Sequence, residues 1–383
     1  MSKFAPIILC AAAAALLALG LIMMASTSVW VNGMEEPYLF LRKQATFAVV
    51  GLVAAGICAW LPMAWLRRYG PWLLPLVCVL LGLCFVPDIG IERFGAKRWI
   101  GVPVIGQFQP SELARLAVIL ALACWFQHYQ SLTGTLVRGF LIPGMIAGIP
   151  VALIALETDI GTALSIAVMV GTVMFCVGTR IIYLLPTALV AIAGAVYFIA
   201  TDRTRMLRID AWLNLDDPVH QLGVGMQQWR ALLALGNGGP WGAGLGEGVE
   251  KFGTLTFAHI DFVFPVVGEE LGLIATLGTV GCFALIAVAG LVIAMQAETL
   301  FDRCLALGLT CMIVVPAMVN IGVTTALLPN DGLPLPFVSY GGTSLVFSMA
   351  AVGLLIGVHR RTPGPAADDF VIGREPLRQW VRM

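Results

Sequence analysis

GMQQWRALLALGNGGPWGAGLGEGVEKFGTLTFAHIDFVFPVVGEELG, residues 225–272, brings a glycine cluster, a His259/Asp261 pair and the adjacent carboxylates Glu269 and Glu270 to the mouth of an apolar run. Such groups are costly beside lipid. Ionisable residues at a membrane edge face a water-filled cavity or a partner, and are functional candidates by default. The expectation is that Asp261 does proton chemistry at a membrane surface.

Outward from this stretch the chain is oily. Of 383 residues, 59% are hydrophobic and 11% charged, against roughly 25% charged in a soluble domain, and the mean hydropathy is +0.93. This is the composition of a polytopic membrane protein. The 22 basic and 22 acidic residues cancel, which leaves no global field to attract nucleic acid, so no nucleic-acid partner is expected. The nine cysteines stand singly, all but Cys304 inside apolar runs, with no CxxC spacing. They read as small core hydrophobes. His128, His220, His259 and His359 are too dispersed to suggest a metal cluster.

Apolar runs that approach the roughly 20 residues needed to cross a bilayer fall near 5–26, 45–64, 71–87, 111–126, 139–156, 161–178, 181–200, 265–295, 304–328 and 341–358. The fold expected is an all-α polytopic membrane protein of about ten transmembrane helices, with a long outer loop between helices 7 and 8. The first run resembles a signal peptide after Lys3, but it exceeds the roughly 7–15 apolar residues of a cleaved leader, so it reads as a retained span. Residues 1–361 then form one transmembrane domain, 201–261 its large extracytoplasmic loop and 362–383 a short cytoplasmic tail.

An even number of spans puts both termini on one side. The loops of that side carry Arg67, Arg68, Arg138, Arg180 and Arg303, and the tail is basic too, which makes it cytoplasmic by the positive-inside rule. Against the rule, the outer loops hold Arg42, Lys43, Arg93, Lys97 and Arg98. The loop at 201–261 is far longer than a simple connection, and Trp212, Trp229, Leu232, Leu233 and Trp241 argue for short interfacial helices within it. No internal repeat of the transporter kind is visible.

Each polar candidate has a bland reading beside the functional one. Asp261 can be a proton acceptor or an N-cap of the helix that follows, and spacing alone divides these evenly. Glu269 and Glu270 diverge by about 100° on a helix, so one would face a cavity and the other a cationic partner. Glu112 and Arg115, after Pro110-Ser111, share a helix face and read first as a salt bridge, with Arg115 also suited to phosphate. Lys97 and Arg98, basic on the outer face, are better explained by an anionic ligand. Asp159 reads as a helix cap in a very short turn. The loop at 328–342, with Ser339 and Tyr340 at its polar end, is too rigid for a tether; irregular backbone at that depth lines a cavity. GNGGPWGAGLGEG lacks a P-loop ending, so its glycines read as tight turns.

At this point WIGVPVIGQFQPSELARLAV, ETDIGTAL, AHIDFVFPVVGEELG and NIGVTTALLPNDGLPLPFVSYGGTSL resemble, in order, the signatures of the SEDS family of shape, elongation, division and sporulation proteins, RodA and FtsW among them. The division branch is the nearer, on NLDDPVHQLGVGMQ, GAGLGEGVEKF, VGEELG and SYGGTSL. The resemblance implies a peptidoglycan glycosyltransferase that polymerises lipid II at the outer face of the cytoplasmic membrane. Asp261 matches the aspartate of the family's HTDF motif and would be the general base. It implies a class B penicillin-binding protein as partner, FtsI-like or its elongation counterpart, beside membrane lipid. The leaving pyrophosphate needs cations: Lys97, Arg98, Arg115, Arg230, or a divalent ion such as Mg or Mn, with no organic cofactor. Gln227, His259, Glu112, Asp159, Glu269, Glu270, Ser339 and Tyr340 complete the substrate-binding set.

The chain departs from the family pattern. Thr256-Phe257 stand where Pro-Glu is usual, Ile260 replaces the motif threonine, QPDLGT becomes ETDIGT, Arg230 replaces a glutamine and Arg115 a lysine. Two other functions would suit many spans with polar mouths: a lipid-linked precursor flippase, or a non-catalytic scaffold for a transpeptidase.

Overall fold

The computed structural model describes residues 2–31, 38–93, 96–102, 106–252, 255 and 258–361. Thr256, Phe257 and the tail from 362 onward lie outside the described residues. The chain forms α1 (Ala5–Val31), α2 (Leu39–Trp60), α3 (Met63–Tyr69) and α4 (Leu73–Leu83), then three strands, β1 (Gly90–Arg93), β2 (Ala96–Val102) and β3 (Gly106–Phe108). α5 (Pro110–His128), α6 (Ile142–Leu156), α7 (Ile160–Val177) and α8 (Ile181–Ala200) follow. α9 (Arg203–Leu213), α10 (Pro218–Leu222) and α11 (Met226–Gly238) lead into α12 (Val263–Gln296), α13 (Leu300–Thr324) and α14 (Gly342–His359).

Among the described residues ten helices are long and apolar enough to cross a membrane, with α3 and α4 joined into one span and a π-helical turn at Val137–Leu141 extending α6. The ten expected spans are the ten found. Their ends shift where local chemistry overrides the apolar pattern. α2 starts at Leu39, so Arg42 and Lys43, expected in an outer loop, ride on its first turns. α13 starts early because the Thr299 hydroxyl accepts the Asp302 amide at 3.1 Å, a cap formed by two residues that read as loop.

α5, α13 and α14 are the most enclosed spans, and α8 buries no residue at all. An apolar helix exposed on every side is stable only where lipid is the solvent.

The connection between α4 and α5 holds a small antiparallel sheet in the order β1-β2-β3, with Glu92 opposite Lys97 and Ile100 opposite Phe108. The other elements of the described chain are helices, as expected, and these three short strands are the addition. The long segment between α8 and α12 carries three short helices, α9, α10 and α11, and Gln228 fixes α11 by donating to the carbonyls of Val323 at 2.9 Å and Leu328 at 2.8 Å.

α12 is broken at Gly272, whose φ of 80° and ψ of −175° belong to glycine alone. A Cβ there would strike the backbone of Pro240, Trp241 and Gly242. The break leaves amides and carbonyls without helical partners, and the glycine-rich loop supplies them. Leu273 N donates to Gly239 O at 2.9 Å, while Ala243 N and Gly244 N donate to Glu269 O and Glu270 O at 2.8 and 3.1 Å. Polar backbone inserted at a helix break is tolerated when every group is satisfied this way. The nine residues Val263–Leu271 before the break form a half-helix with Asp261 just ahead of it.

Candidate active site

Asp261 is not a helix cap. The residue at the cap position of α12 is Phe262, and no side chain caps that end. Asp261 Oδ1 is buried without a hydrogen-bond partner, and Oδ2 rests against Gly332, where a Cβ would stand 3.2 Å away. Its backbone is tied from below: Asn320 Nδ2 donates to Asp261 O at 2.8 Å and to Leu333 O at 2.7 Å, which joins the Asp261 segment to the loop before α14. Burial first, then the neighbouring Asp331 carboxylate, push the Asp261 carboxyl up to about 7; Arg98 opposes them and Asp159 adds to them. A carboxylate of this kind can take a proton at neutral pH.

The charges around it come from three other elements. Asp159, the N-cap of α7, accepts the Thr162 amide at 3.2 Å, and its carboxylate also pairs with Arg98 at 3.5 Å and accepts from Gln109 at 3.3 Å. Cap and site roles therefore coincide at Asp159. Arg98 also donates to Thr158 O at 3.0 Å, which fixes the guanidinium on the turn between α6 and α7. Arg98 is the extra residue at an irregularity in β2, opposite the step from Ile91 to Glu92, where strict alternation of faces is lost, and Lys97 beside it borders the same turn. Lys97 is exposed and lines a cavity of about 190 Å³ with Phe85, Glu92, Leu156, Glu157 and Thr158. Asp331, in the loop between α13 and α14, lies against Gly161 in the first turn of α7.

Several expected substrate ligands are engaged elsewhere. Arg115 pairs with Glu112 at 3.2 Å and reaches Thr162 at 3.5 Å inside the bundle, with side chains only 5% and 3% exposed. The pair is buried inside the bundle, which is the salt bridge expected of these two residues. Arg230 pairs with Glu250 at 3.6 Å. Gln227 accepts from Asn330 at 3.3 Å. Glu269 and Glu270 do not face the cleft: Glu269 accepts the amides of Val249 and Glu250 at 2.9 and 3.3 Å, and Glu270 pairs with Lys251 at 2.6 Å. Both clasp the glycine-rich loop onto α12.

Ser339 and Tyr340 are holders as well. Ser339 Oγ accepts the Leu335 amide at 2.8 Å, and Tyr340 N donates to His259 O at 2.9 Å. The His259 ring packs against Phe40, with centroids 4.8 Å apart, and its Nδ1 has no partner. Burial lowers its pKa to about 4, so the imidazole is neutral and no proton donor at ordinary pH. Ile260, in the place of the motif threonine, is partly exposed beside Asp261.

No group of three or more His, Cys, Asp or Glu among the described residues is arranged to hold a metal ion. Sequence reasoning missed Asp331 and Asn320 as members of the site. Both lie in segments quoted for the resemblance, but only the fold shows that an asparagine deep in α13 reaches two loop carbonyls.

The family profile described as cell cycle protein, FtsW/RodA/SpoVE, matches residues 7–363. A probable peptidoglycan glycosyltransferase FtsW of Geobacter sp. (strain M18) is 36% identical over 89% of this chain and 92% of its own length. Stage V sporulation protein E of Bacillus subtilis is 36% identical over 90% of this chain and 94% of its own. Among solved structures, a chain from a peptidoglycan synthase complex that coordinates polymerization and crosslinking superposes with a TM-score of 0.74, at 28% identity over 92% of this chain and 96% of that one. The rod shape determining protein RodA of Thermus thermophilus gives 0.65 at 28% identity, over 93% and 97%. With ten spans, a broken eighth span and a carboxylate at its mouth in common with the motifs read from the sequence, the chain belongs to the FtsW/RodA/SpoVE family of cell cycle proteins.

Proposed function

We propose that the chain is a peptidoglycan glycosyltransferase that polymerises lipid II at the outer face of the cytoplasmic membrane in cell division, both termini being cytoplasmic. The observation that carries the reading is Asp261: an uncapped, partly buried carboxylate at the mouth of a broken span, with an unpartnered oxygen and a proton affinity raised to about 7. In this reading Asp261 takes the proton from the 4-hydroxyl of the acceptor sugar. The freed oxygen forms a bond to the anomeric carbon of the donor, and the bond from that carbon to lipid pyrophosphate breaks. Pyrophosphate leaves as an anion and needs no general acid, unlike the alcohol released in glycoside hydrolysis. Arg98, oriented by Asp159, and the exposed Lys97 are the cations on β2 that would meet its growing charge.

The partner is a class B penicillin-binding protein, which supplies the crosslinking. Support comes from the solved synthase complex, whose chain this one matches across nearly its full length.

Purified protein incubated with lipid II tests the reading. Glycan chains on a gel from the wild type, lost in Asp261→Ala and in Asp261→Asn, are the expected result. Unchanged chains in either variant would overturn the assignment of the base, and lipid II moved across vesicles without any chains would favour a flippase.

A further inference from the structure

Asp261 is not the only carboxylate at its site. Asp331 reaches it from the loop between α13 and α14, and two glycines record how close the approach is. Gly332, the next residue, is the surface on which Asp261 Oδ2 rests. Gly161, in the first turn of α7, is the surface on which Asp331 Oδ2 rests, so near that any Cβ there would collide with the carboxylate. Asn320 locks the arrangement by bonding to Asp261 O and Leu333 O together. Contacts with Gly332 and Gly161 thus fix the Asp261 carboxyl beside the residue that follows Asp331 and fix the Asp331 carboxyl against α7.

We propose that Asp331 is a positioning residue for the glycosyl transfer: its negative charge, fixed beside Asp261, strengthens that carboxylate as the acceptor of the sugar's proton. The inference rests on Asp261 being the base. Two carboxylates sharing one site do not both ionise readily, and the one nearer the substrate gains proton affinity from the other. Other charged groups act on the pair from each side. Arg98 on β2 favours the ionised form of both, Asp159 at the α7 cap opposes it in both, and Arg208 on α9 favours ionised Asp331, while His259 is neutral. Burial raises the Asp331 carboxyl also, and the Gly332 amide that bonds to it counteracts the rise. The proton removed from the hydroxyl goes to Asp261 and returns to water after transfer; Asp331 stays outside the bonds that form and break.

The test is the pH profile of polymerisation by the full chain on lipid II. Its acidic limb belongs to the coupled pair. Removing one of two neighbouring like charges moves such a limb by about one pH unit, so Asp331→Asn is expected to move it that far toward acid. Asp331→Glu, which keeps the charge, is expected to hold it near the wild-type position. A limb that stays in place in Asp331→Asn would overturn the inference, while loss of chains in Asp261→Asn at every pH would leave the base assignment standing. If Asp331→Asn makes no chains, carbodiimide labelling of Asp261 followed by mass spectrometry titrates that carboxyl without turnover. Labelling that falls off at the same pH in variant and wild type would sink the proposal.

Discussion

Lys251→Met isolates the clasp that holds the glycine-rich loop on α12. Lys251 Nζ lies 2.6 Å from Glu270 Oε1, 2.6 Å from Gly246 O and 2.8 Å from Ser26 Oγ, and the Ser26 hydroxyl donates to Glu270 at 2.7 Å. Gly246 N donates to the other Glu270 oxygen at 3.0 Å. The two charged side chains are 1% and 0% exposed, so solvent screens little of the pair. Deleting one partner strands the other charge, at about 3–5 kcal/mol. That is a large share of the roughly 5–15 kcal/mol that separates folded from unfolded states of a typical domain. Removing both charges in Lys251→Met/Glu270→Leu strands no charge and leaves only the neutral Gly246 N, Gly246 O and Ser26 Oγ without these partners, a smaller loss than an unpaired buried ion. Melting of the purified chain in detergent, followed by intrinsic fluorescence, should therefore place the double variant below wild type but well above the sum of the two single losses. A double variant as unstable as the two singles summed would refute the reasoning, because independent losses add and coupled ones do not.

Two further outcomes are expected. Wild-type polymerisation should rise with pH through about 7, because the carboxyl at Asp261 is raised to that value and only its ionised form accepts a proton; a rate flat between pH 5.5 and 8.5 would exclude it as the titrating base. Gly272→Ala places a methyl group 2.6 Å from Pro240 O and forces a positive φ on an L side chain, a strain of about 1–3 kcal/mol before any displacement of the loop. Its folded yield in membranes should drop sharply, and a normal yield with normal activity would show that the break in α12 is dispensable.

The spans were legible because twenty apolar residues in a row have few other fates. Helix ends were less so. Thr299 and Asp302 look like loop in a hydropathy trace, yet the threonine cap carries α13 through them. The sheet at Gly90–Phe108 escaped because its strands are short and their pairing is non-local, a property of the folded arrangement of AKRWIGV and GQF, not of either segment. Within the site, Asp261 and Asp159 could be singled out as carboxylates at span ends. What spacing could not decide was which polar groups face the cleft. Glu269 and Glu270 lie about two turns further along the half-helix that begins after Asp261, and both are held by the loop from Gly246 to Lys251.

That division of labour explains why so many polar residues converge on a cleft whose proposed chemistry needs few. A catalytic carboxylate at a membrane edge must sit on irregular backbone, since a regular helix would bury its mouth or cap it. Irregular backbone in that position carries unsatisfied carbonyls and amides, each costly in a medium poor in water. Asn320, Gln228, Gln44 and Ser339 spend their side chains on such groups, bonding to Asp261 O and Leu333 O, to Val323 O and Leu328 O, to Ser339 O, and to Leu335 N. Residues of this kind read as substrate ligands in a sequence, because both tasks require a buried polar side chain near the site. The distinction lies in the partner. Where the partner is a backbone group within hydrogen-bond distance the donor is committed, as in Asn320 and Gln228, whereas Asp261 Oδ1 is buried with no partner and remains the group that the proposed proton transfer would use.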